Sequence, residues 1–428
     1  MEGREKGMED IRKVFGSLTQ DAKKIFNLIH KNGPRAKNEL LLLTNMKLST
    51  LNRVMEPLEK RGLIIQSSTG QSTGGRKPAL YDVNASQGYL AGVDISRTYT
   101  QVIITDLKME ILYKQQFTMD ASYTPEKTLE MVRGIIQNGL QQIKAPGSQM
   151  LGVGVGTVGP MDREKGIINN PVNFAAPGWH DVHVKDMLQD KIQCPVFIDN
   201  GANTAVLAEM LFGQGRNHSN LVYIHCGVGI RTGTISSRTI IRTVNDAEDA
   251  FGHMVIDVDG EPCACGNYGC IECYSSIGAI SRKFIAELKK GRASKVSKSI
   301  DEISYIDICQ AAEEGDELAR EIITGSAVVL GTGLANFINL LNPGLVILSG
   351  PLIKRSKLFY QKCTEVADRK CYKSIKEGVL FSQGGNFGDH TIAIGSAAMV
   401  FEHCINNKSV YDTDSRDSRL SFGASGKL

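Results

Sequence analysis

The chain has 428 residues, of which 42% are hydrophobic and 22% charged, with a net charge of +3. That length exceeds a single compact core and predicts two or three domains, and the balance of apolar to charged residues excludes both a disordered chain and an integral membrane protein. So small a net charge gives no global nucleic-acid signal, so any DNA contact has to come from a local basic patch.

Residues 1–12 are charged and lack the apolar core and cleavage site of a secretory leader, and no apolar run reads as long enough to span a bilayer. The expectation is a cytoplasmic protein without a membrane partner. Three of the ten cysteines crowd into residues 263–270, which in such a chain favours metal binding over disulfides.

From Leu18 to about Asn84 the pattern is helix, turn, helix and a basic glycine turn, and residues 1–84 are expected to form a separate small domain. A helix carrying Ile25, Leu28 and Ile29 should stop at Asn32-Gly33-Pro34. Lys37 to Thr44 predicts a second helix, and Asn45-Met46-Lys47 the turn. Ser49 is the expected N-cap of a third helix running toward Arg61, with Leu51, Val54 and Leu58 on one face and Pro57 kinking or shortening it.

Helix, turn, helix and wing is the arrangement that lays its last helix in the major groove of double-stranded DNA. Ser49, Thr50, Asn52 and Arg53 would then face base edges and phosphates, and Ser72-Thr73-Gly74-Gly75-Arg76-Lys77-Pro78 would lift Arg76 and Lys77 to a hairpin tip suited to a narrow minor groove. A helical protein-interaction module with an ordinary basic loop is the competing reading, which the spacing between third helix and wing disfavours.

Beyond residue 85 the pattern becomes α/β. Leu90 to Ile95, Gln101 to Thr105 and Ile111 to Phe117 predict a three-stranded meander. Helical stretches then alternate with buried strands at Leu151 to Val155, Val196 to Ile198, Leu221 to His225 and Leu345 to Leu348, in two halves, with a long helix around Ala327 to Leu341 in the second. This body is expected over residues 85–407, followed by a loose tail, 408–428, rich in Ser, Asp and Gly.

His253, Cys263, Cys265 and Cys270 offer one imidazole and three thiolates, a full tetrahedral set for structural Zn2+, with Gly266 and Gly269 supplying tight turns. A redox pair or a chance cluster is the alternative, and it leaves His253 and both glycines unexplained. Cys273 reads as a bystander.

Gly252-His253 with CACGNYGCIE at Cys263 to Glu272, and NFINLLNPGLVILSGPL at Asn336 to Leu352, resemble the ROK family of repressors, open reading frames and kinases, and the similarity runs from the winged helix to about Phe401. The resemblance implies an N-terminal winged helix-turn-helix followed by an actin-like, hexokinase-like body of two lobes, with ligand in the cleft between them. Members with the winged-helix extension are typically sugar-responsive repressors of carbohydrate genes. Carried over position by position, the sugar contacts would be Asn200, His253 and Glu272; for Glu272 a supporting role beside the zinc knuckle is the alternative.

The chain departs from the family's kinases. They place a catalytic Asp directly after the Asn, where this sequence has Gly201, and Asp199 lies two residues off. Their first phosphate loop, Asp-x-Gly-Gly-Thr, is here Asp94-Ile95-Ser96-Arg97-Thr98, and the second glycine loop, 227–233, contains Arg231. The sugar-binding members carry Glu three residues before His253, where this chain has Ala250; Glu248 or Asp249 would have to compensate. No catalytic residue is assigned.

The resulting expectation is a homodimer, or a dimer of dimers, on a palindromic operator, released by a sugar or sugar derivative such as a sugar phosphate anchored by Arg231. A transport component could act in the sugar's place by sequestration. The alternatives are a working sugar kinase that also binds DNA, and a ligand-blind DNA-binding protein.

Overall fold

The structure is a computed structural model and describes residues 10–69, 78–171, 174–242, 248–372 and 378–405. Arg76, Lys77 and the tail after residue 405 lie outside the described residues, as do the side chains of Glu248 and Asp249.

At the N-terminal end, the helix Gln20–Asn32 is capped by the Thr19 hydroxyl, which accepts from the Ala22 N–H at 3.2 Å, and it ends at Gly33 with φ +76°. Lys37–Thr44 and Leu48–Lys60 follow as helices, with Asn45 in the left-handed conformation between them. Ala22, Ile25, Phe26 and Ile29 of the first helix, Leu40 of the second, and Leu51, Val54, Met55 and Leu58 of the third bury one shared core. Strands Arg35–Ala36, Ala79–Val83 and Ile64–Thr69 form a three-stranded sheet in that order, the last two being the arms of the hairpin.

Two expectations for this region change. The third helix begins at Leu48 with Lys47 in the cap position and no side-chain cap, so Ser49 is an exposed residue of the first turn rather than the N-cap. Pro57 falls in the last turn, where only the hydrogen bond to the Arg53 carbonyl is forfeited, and the helix continues to Lys60. An additional short helix, Ile11–Gly16, precedes the motif, N-capped by the Asp10 carboxylate, and packs on the body.

The body has two five-stranded sheets. The first runs Val196–Asn200, Met150–Thr157, Tyr89–Ile95, Tyr99–Asp106 and Ile111–Thr118, the last three being the antiparallel meander. The second runs Thr239–Ile240, Ile230–Ser236, Leu221–Cys226, Leu345–Ser349 and Leu380–Gln383. The helix Thr391–Ile405 is wedged between the first sheet and the helix Gly201–Phe212. Backbones approach so closely there that a Cβ on Gly154 would lie 1.8 Å from the Ser396 carbonyl oxygen, and one on Gly395 1.7 Å from that of Thr204.

The long helix of the second lobe is Glu317–Leu341, starting earlier than its sequence pattern suggested because Asp316 caps it. It corrects a further expectation: with 25 residues it is long and apolar enough by composition to cross a bilayer, but 56% of its most apolar stretch is buried and it packs along the helix Lys357–Lys370. It is a core helix of the lobe.

Candidate functional site

The cleft is organised around the strand Ile230–Ser236. The helix Gly201–Phe212, the turn Glu248–Phe251 that leads to His253, and the helix Ile271–Ser275 all pack against it. Asn200 ends the strand Val196–Asn200 and caps the first of these elements, His253 follows the second by two residues, and Glu272 belongs to the third.

Asn200 is 1% exposed and caps its helix, its Oδ1 accepting from the Ala202 N–H at 2.9 Å. Its Nδ2 is buried without a hydrogen-bond partner among the described residues. A buried amide donor left open is an unfavourable arrangement that an incoming hydroxyl would relieve. Gly201 follows as the first residue of the helix, with no side chain to take a proton.

Asp199, two residues before Gly201, is held in contacts of its own. Its side chain is 1% exposed and pairs with Arg242 through Nη2 at 2.6 Å and Nη1 at 3.2 Å, and it also accepts from the Asn200 N–H and from Asn203 Nδ2. The carboxylate is fixed in a two-pronged ion pair and turned into its own hydrogen-bond net.

Glu272 Oε2 accepts from the Ile230 N–H at 2.8 Å. A Cβ placed on Gly229 would lie 2.9 Å from that oxygen and 3.1 Å from Arg97 Nη1, so a first-lobe guanidinium reaches the second lobe beside Glu272. Glu272 therefore braces the start of the strand Ile230–Ser236, next to the turn at 227–229. The expected second glycine loop is only this turn, closed by the Gly227 N–H donating to the Gly229 carbonyl at 3.1 Å, because Arg231, Thr232 and Gly233 are already strand. In the 94–98 segment Asp94 and Ile95 are likewise strand, and 96–98 form a hairpin turn with the Ser96 N–H donating to the Tyr99 carbonyl.

The backbone at 252–256 is laced to that at 269–272 through Ile256 to Gly269, Ile271 to Met254 and Glu272 to Gly252, and Gly266 and Gly269 take φ +91° and +67°. This folding gathers His253, Cys263, Cys265 and Cys270 so that their ligand atoms all lie within 4.8 Å of one another. His253 Nδ1 is 3.5 Å from Cys263 Sγ, and Cys265 Sγ is 3.8 Å from Cys270 Sγ. A tetrahedron with zinc's usual bond lengths has S···S edges of about 3.8 Å and N···S edges of about 3.5 Å, so both separations fit. Burial first, then the Cys263 and Cys265 thiols, push the Cys270 thiol up; at Cys263 burial works the same way, but hydrogen bonds from Cys265 and its neighbours outweigh it and bring that thiol down to about 7. Cys273 is not one of these four; its Sγ lies 3.7 Å from the Pro262 carbonyl oxygen, and burial, then the neighbouring Cys263 thiol, push its own thiol up.

On the third helix of the N-terminal unit, Ser49, Asn52 and Arg53 are exposed and Thr50 half-buried, opposite the buried Leu51, Val54 and Leu58. Lys37 was not singled out in the sequence. Its Nζ donates to Asn52 Oδ1 at 2.9 Å and sits 5.1 Å from the centre of the Tyr81 ring, adding a cation to this face.

The fold is thus a helix-turn-helix unit with a strand hairpin, mounted on a two-lobed, actin-like α/β body. Residues 90–403 match the ROK family, and the chain belongs to it. It is 28% identical over 378 residues to a xylose repressor of Bacillus subtilis, spanning 88% of this chain and 94% of that one. It is 25% identical over 388 residues to the DNA-binding transcriptional dual regulator NagC of Escherichia coli K12, spanning 89% and 92%. A crystal structure of a ROK family transcriptional regulator, a homologue of the E. coli MLC protein, superposes with TM-score 0.75 at 22% identity over 93% of this chain and 97% of that one. A ROK hexokinase from Thermus thermophilus shares the fold with TM-score 0.61 at 22% identity, but over 73% of this chain and 98% of its own.

Proposed function

We propose that the protein is a DNA-binding transcriptional repressor of carbohydrate-related genes, in which residues 1–84 read an operator and residues 85–407 sense a sugar or sugar derivative in the cleft and dimerise. The observation that carries this reading is a combination: an exposed helix face of Ser49, Asn52 and Arg53 joined to a kinase-type body that has Gly201 at the base position and Asp199 held by Arg242. Such a body retains donors for a polyhydroxylated ligand and lacks a group to deprotonate it. The relatives named as xylose repressor and NagC support the same assignment.

Asn200, through its open Nδ2, and His253, through the ring nitrogen turned away from Cys263, are the ligand contacts, and Glu272 acts by holding Ile230 beside them. Structural zinc on His253, Cys263, Cys265 and Cys270 fixes the His253 ring through that metal bond. Ligand binding would favour one spacing of the two winged helices in a homodimer, and a misfit of one half-site removes simultaneous contact with both.

The test is fluorescence anisotropy of the full-length protein on DNA from its own upstream region, at fixed salt, titrated with a panel of sugars and sugar phosphates. Release by one compound is the expected result. Tight binding that no compound alters would overturn sugar control, and absence of operator binding would overturn the repressor reading.

A further inference from the structure

Among the described residues, three leucines of the N-terminal unit stand largely in solvent. Leu42 and Leu43 on the helix Lys37–Thr44 are 81% and 53% exposed, and Leu48, 54% exposed, is the first residue of the helix Leu48–Lys60. Single exposed leucines are ordinary on a protein surface, so exposure alone assigns nothing. The position of Leu48 does. Its helix packs through Leu51, Val54, Met55 and Leu58, and Leu48 is neither in that core nor among the residues packed on it. The apolar residue that steers the chain into the helix is Met46, which precedes the cap Lys47 and is partly buried against the core. The fold thus gives Leu48 no packing role.

Leu48 does share the reading face. Leu48 and Asn52 are four residues apart, so their side chains lie on one ridge of the helix, with the exposed Ser49 and Arg53 beside them. Leu48 sets one large apolar group at the N-terminal end of that ridge, the end that meets base edges in this class of motif. Lys37 Nζ donates to Asn52 Oδ1 at 2.9 Å, which holds the amide in place. The second lone pair of that oxygen and the Nδ2 hydrogens remain for N6 and N7 of an adenine. Four residues rise about 6 Å along a helix, less than two base-pair steps of about 3.4 Å each. A helix that puts Asn52 on a base edge therefore brings Leu48 to the pair one or two steps away. The apolar group that base edges present in the major groove is the C5-methyl of thymine.

We propose that Leu48 is a specificity-determining residue of the operator interface, which seats the C5-methyl of one thymine in each half-site, one or two base pairs from the position read by Asn52. The inference rests on the operator reading given above. Cytosine in that place would turn an amino group toward the leucine with no acceptor, so the contact selects thymine by burying a methyl and by penalising the polar alternative.

The experiment is fluorescence anisotropy of the full-length protein on an operator duplex from its own upstream region, and on duplexes in which each thymine in turn is replaced by deoxyuridine. That replacement keeps the base pair and removes only the methyl. Wild type is expected to lose roughly threefold to fivefold in affinity at one thymine per half-site, the effect of withdrawing one methyl from an apolar contact. Leu48→Ala is expected to bind the unmodified operator at least that much more weakly and to be indifferent to deoxyuridine at that position. It should melt within a degree or two of wild type, because an exposed residue is exchanged for the best helix former. Leu42→Ala, which removes a more exposed leucine from the preceding helix, is expected to keep the wild-type response to deoxyuridine. Operator affinity that no deoxyuridine alters, an equal loss in wild type and Leu48→Ala at the sensitive thymine, or loss of the response in Leu42→Ala as well would each overturn the proposal. All three results require operator binding, so they are distinct from failure of the repressor reading, which shows as no binding to any duplex and overturns this proposal with it.

Discussion

The imidazole of His30 lies 4.2 Å, centroid to centroid, from the ring of Phe401, which joins the first long helix of the N-terminal unit to the last described helix of the body. Phe212 meets the same imidazole edge-on at 5.3 Å. Phe212 is the final residue of the helix that Asn200 caps, so a single 12-residue helix, about 18 Å long, runs from the inferred ligand contact to the N-terminal unit. His30→Ala should therefore reduce the factor by which effector weakens operator binding, with effector affinity itself changed little. Paired anisotropy and calorimetry measure the two separately, and an unchanged coupling factor would sink this route.

The same residue makes stability depend on pH. Burial lowers His30 to about 4, against its hydrogen bond to the Leu107 carbonyl. An unfolded histidine titrates near 6.5, so between about 6.5 and 4 the unfolded chain binds more protons, and stability falls as pH falls through that window. At pH 5 the loss is roughly 2 kcal/mol relative to pH 7.5. His225 acts in the same sense and Asp94, raised by burial, in the opposite one. Both are common to wild type and His30→Phe, so the difference in the pH slope of urea unfolding between the two isolates His30. Equal slopes would contradict the buried neutral imidazole.

Restoring the missing carboxylate at residue 201 should not restore phosphoryl transfer. A Cβ there would lie 3.3 and 3.4 Å from Ile392 and 3.6 Å from the Thr157 carbonyl oxygen, so Gly201→Asp requires the Ile392 side chain to give way by a few tenths of an ångström, and Arg97 still stands in the turn where a kinase needs open backbone. ADP release by Gly201→Asp in the presence of sugar and ATP is expected to stay at background. Arg242→Met, by contrast, leaves Asp199 buried and unpaired, and should cost about 3–5 kcal/mol in denaturant unfolding.

For the metal centre the expected result is one zinc per chain by elemental analysis, lost in Cys265→Ser and retained in Cys273→Ser, since only the first belongs to the four-residue cluster. Loss of metal should raise amide exchange through residues 252–272, whose backbone hydrogen bonds depend on the same folded loop. Equal zinc content in the two variants would remove Cys265 from the ligand set.

What was legible in the sequence is local. The helices of the N-terminal unit, the meander and the histidine–cysteine cluster are written in short periodicities, glycine turns and close cysteine spacing, and the structure places them within a few residues of expectation. Contacts across long stretches of chain left no such trace. Asp199 meets Arg242 across 43 residues and Glu272 meets Ile230 across 42, and neither pair has a spacing that any local rule reads. The Ser49 cap failed because the helix starts directly after the turn, with its cap position at Lys47, two residues before the serine that capping preference picked out, and the glycine loop at 227–233 failed because strand pairing with Leu221–Cys226 claims Arg231.

The exposed face of Leu48–Lys60 makes the final prediction. Arg53 carries no buried contact that its loss would disturb, since the helix anchors itself through Leu51, Val54, Met55 and Leu58. Arg53→Ala should therefore leave the melting temperature within a degree or two and weaken operator binding by roughly 1–3 kcal/mol, about tenfold to a hundredfold, if it reads a base. Lys37→Ala should weaken binding to operator and to unrelated DNA alike and reduce the salt slope by about one, as loss of a single phosphate contact does. It should also release Asn52, which Lys37 holds by hydrogen bond, so discrimination at the base read by Asn52 falls as well. Anisotropy on operator and scrambled duplexes across a salt series distinguishes these effects. Wild-type affinity in both variants would mean that this helix does not face the groove.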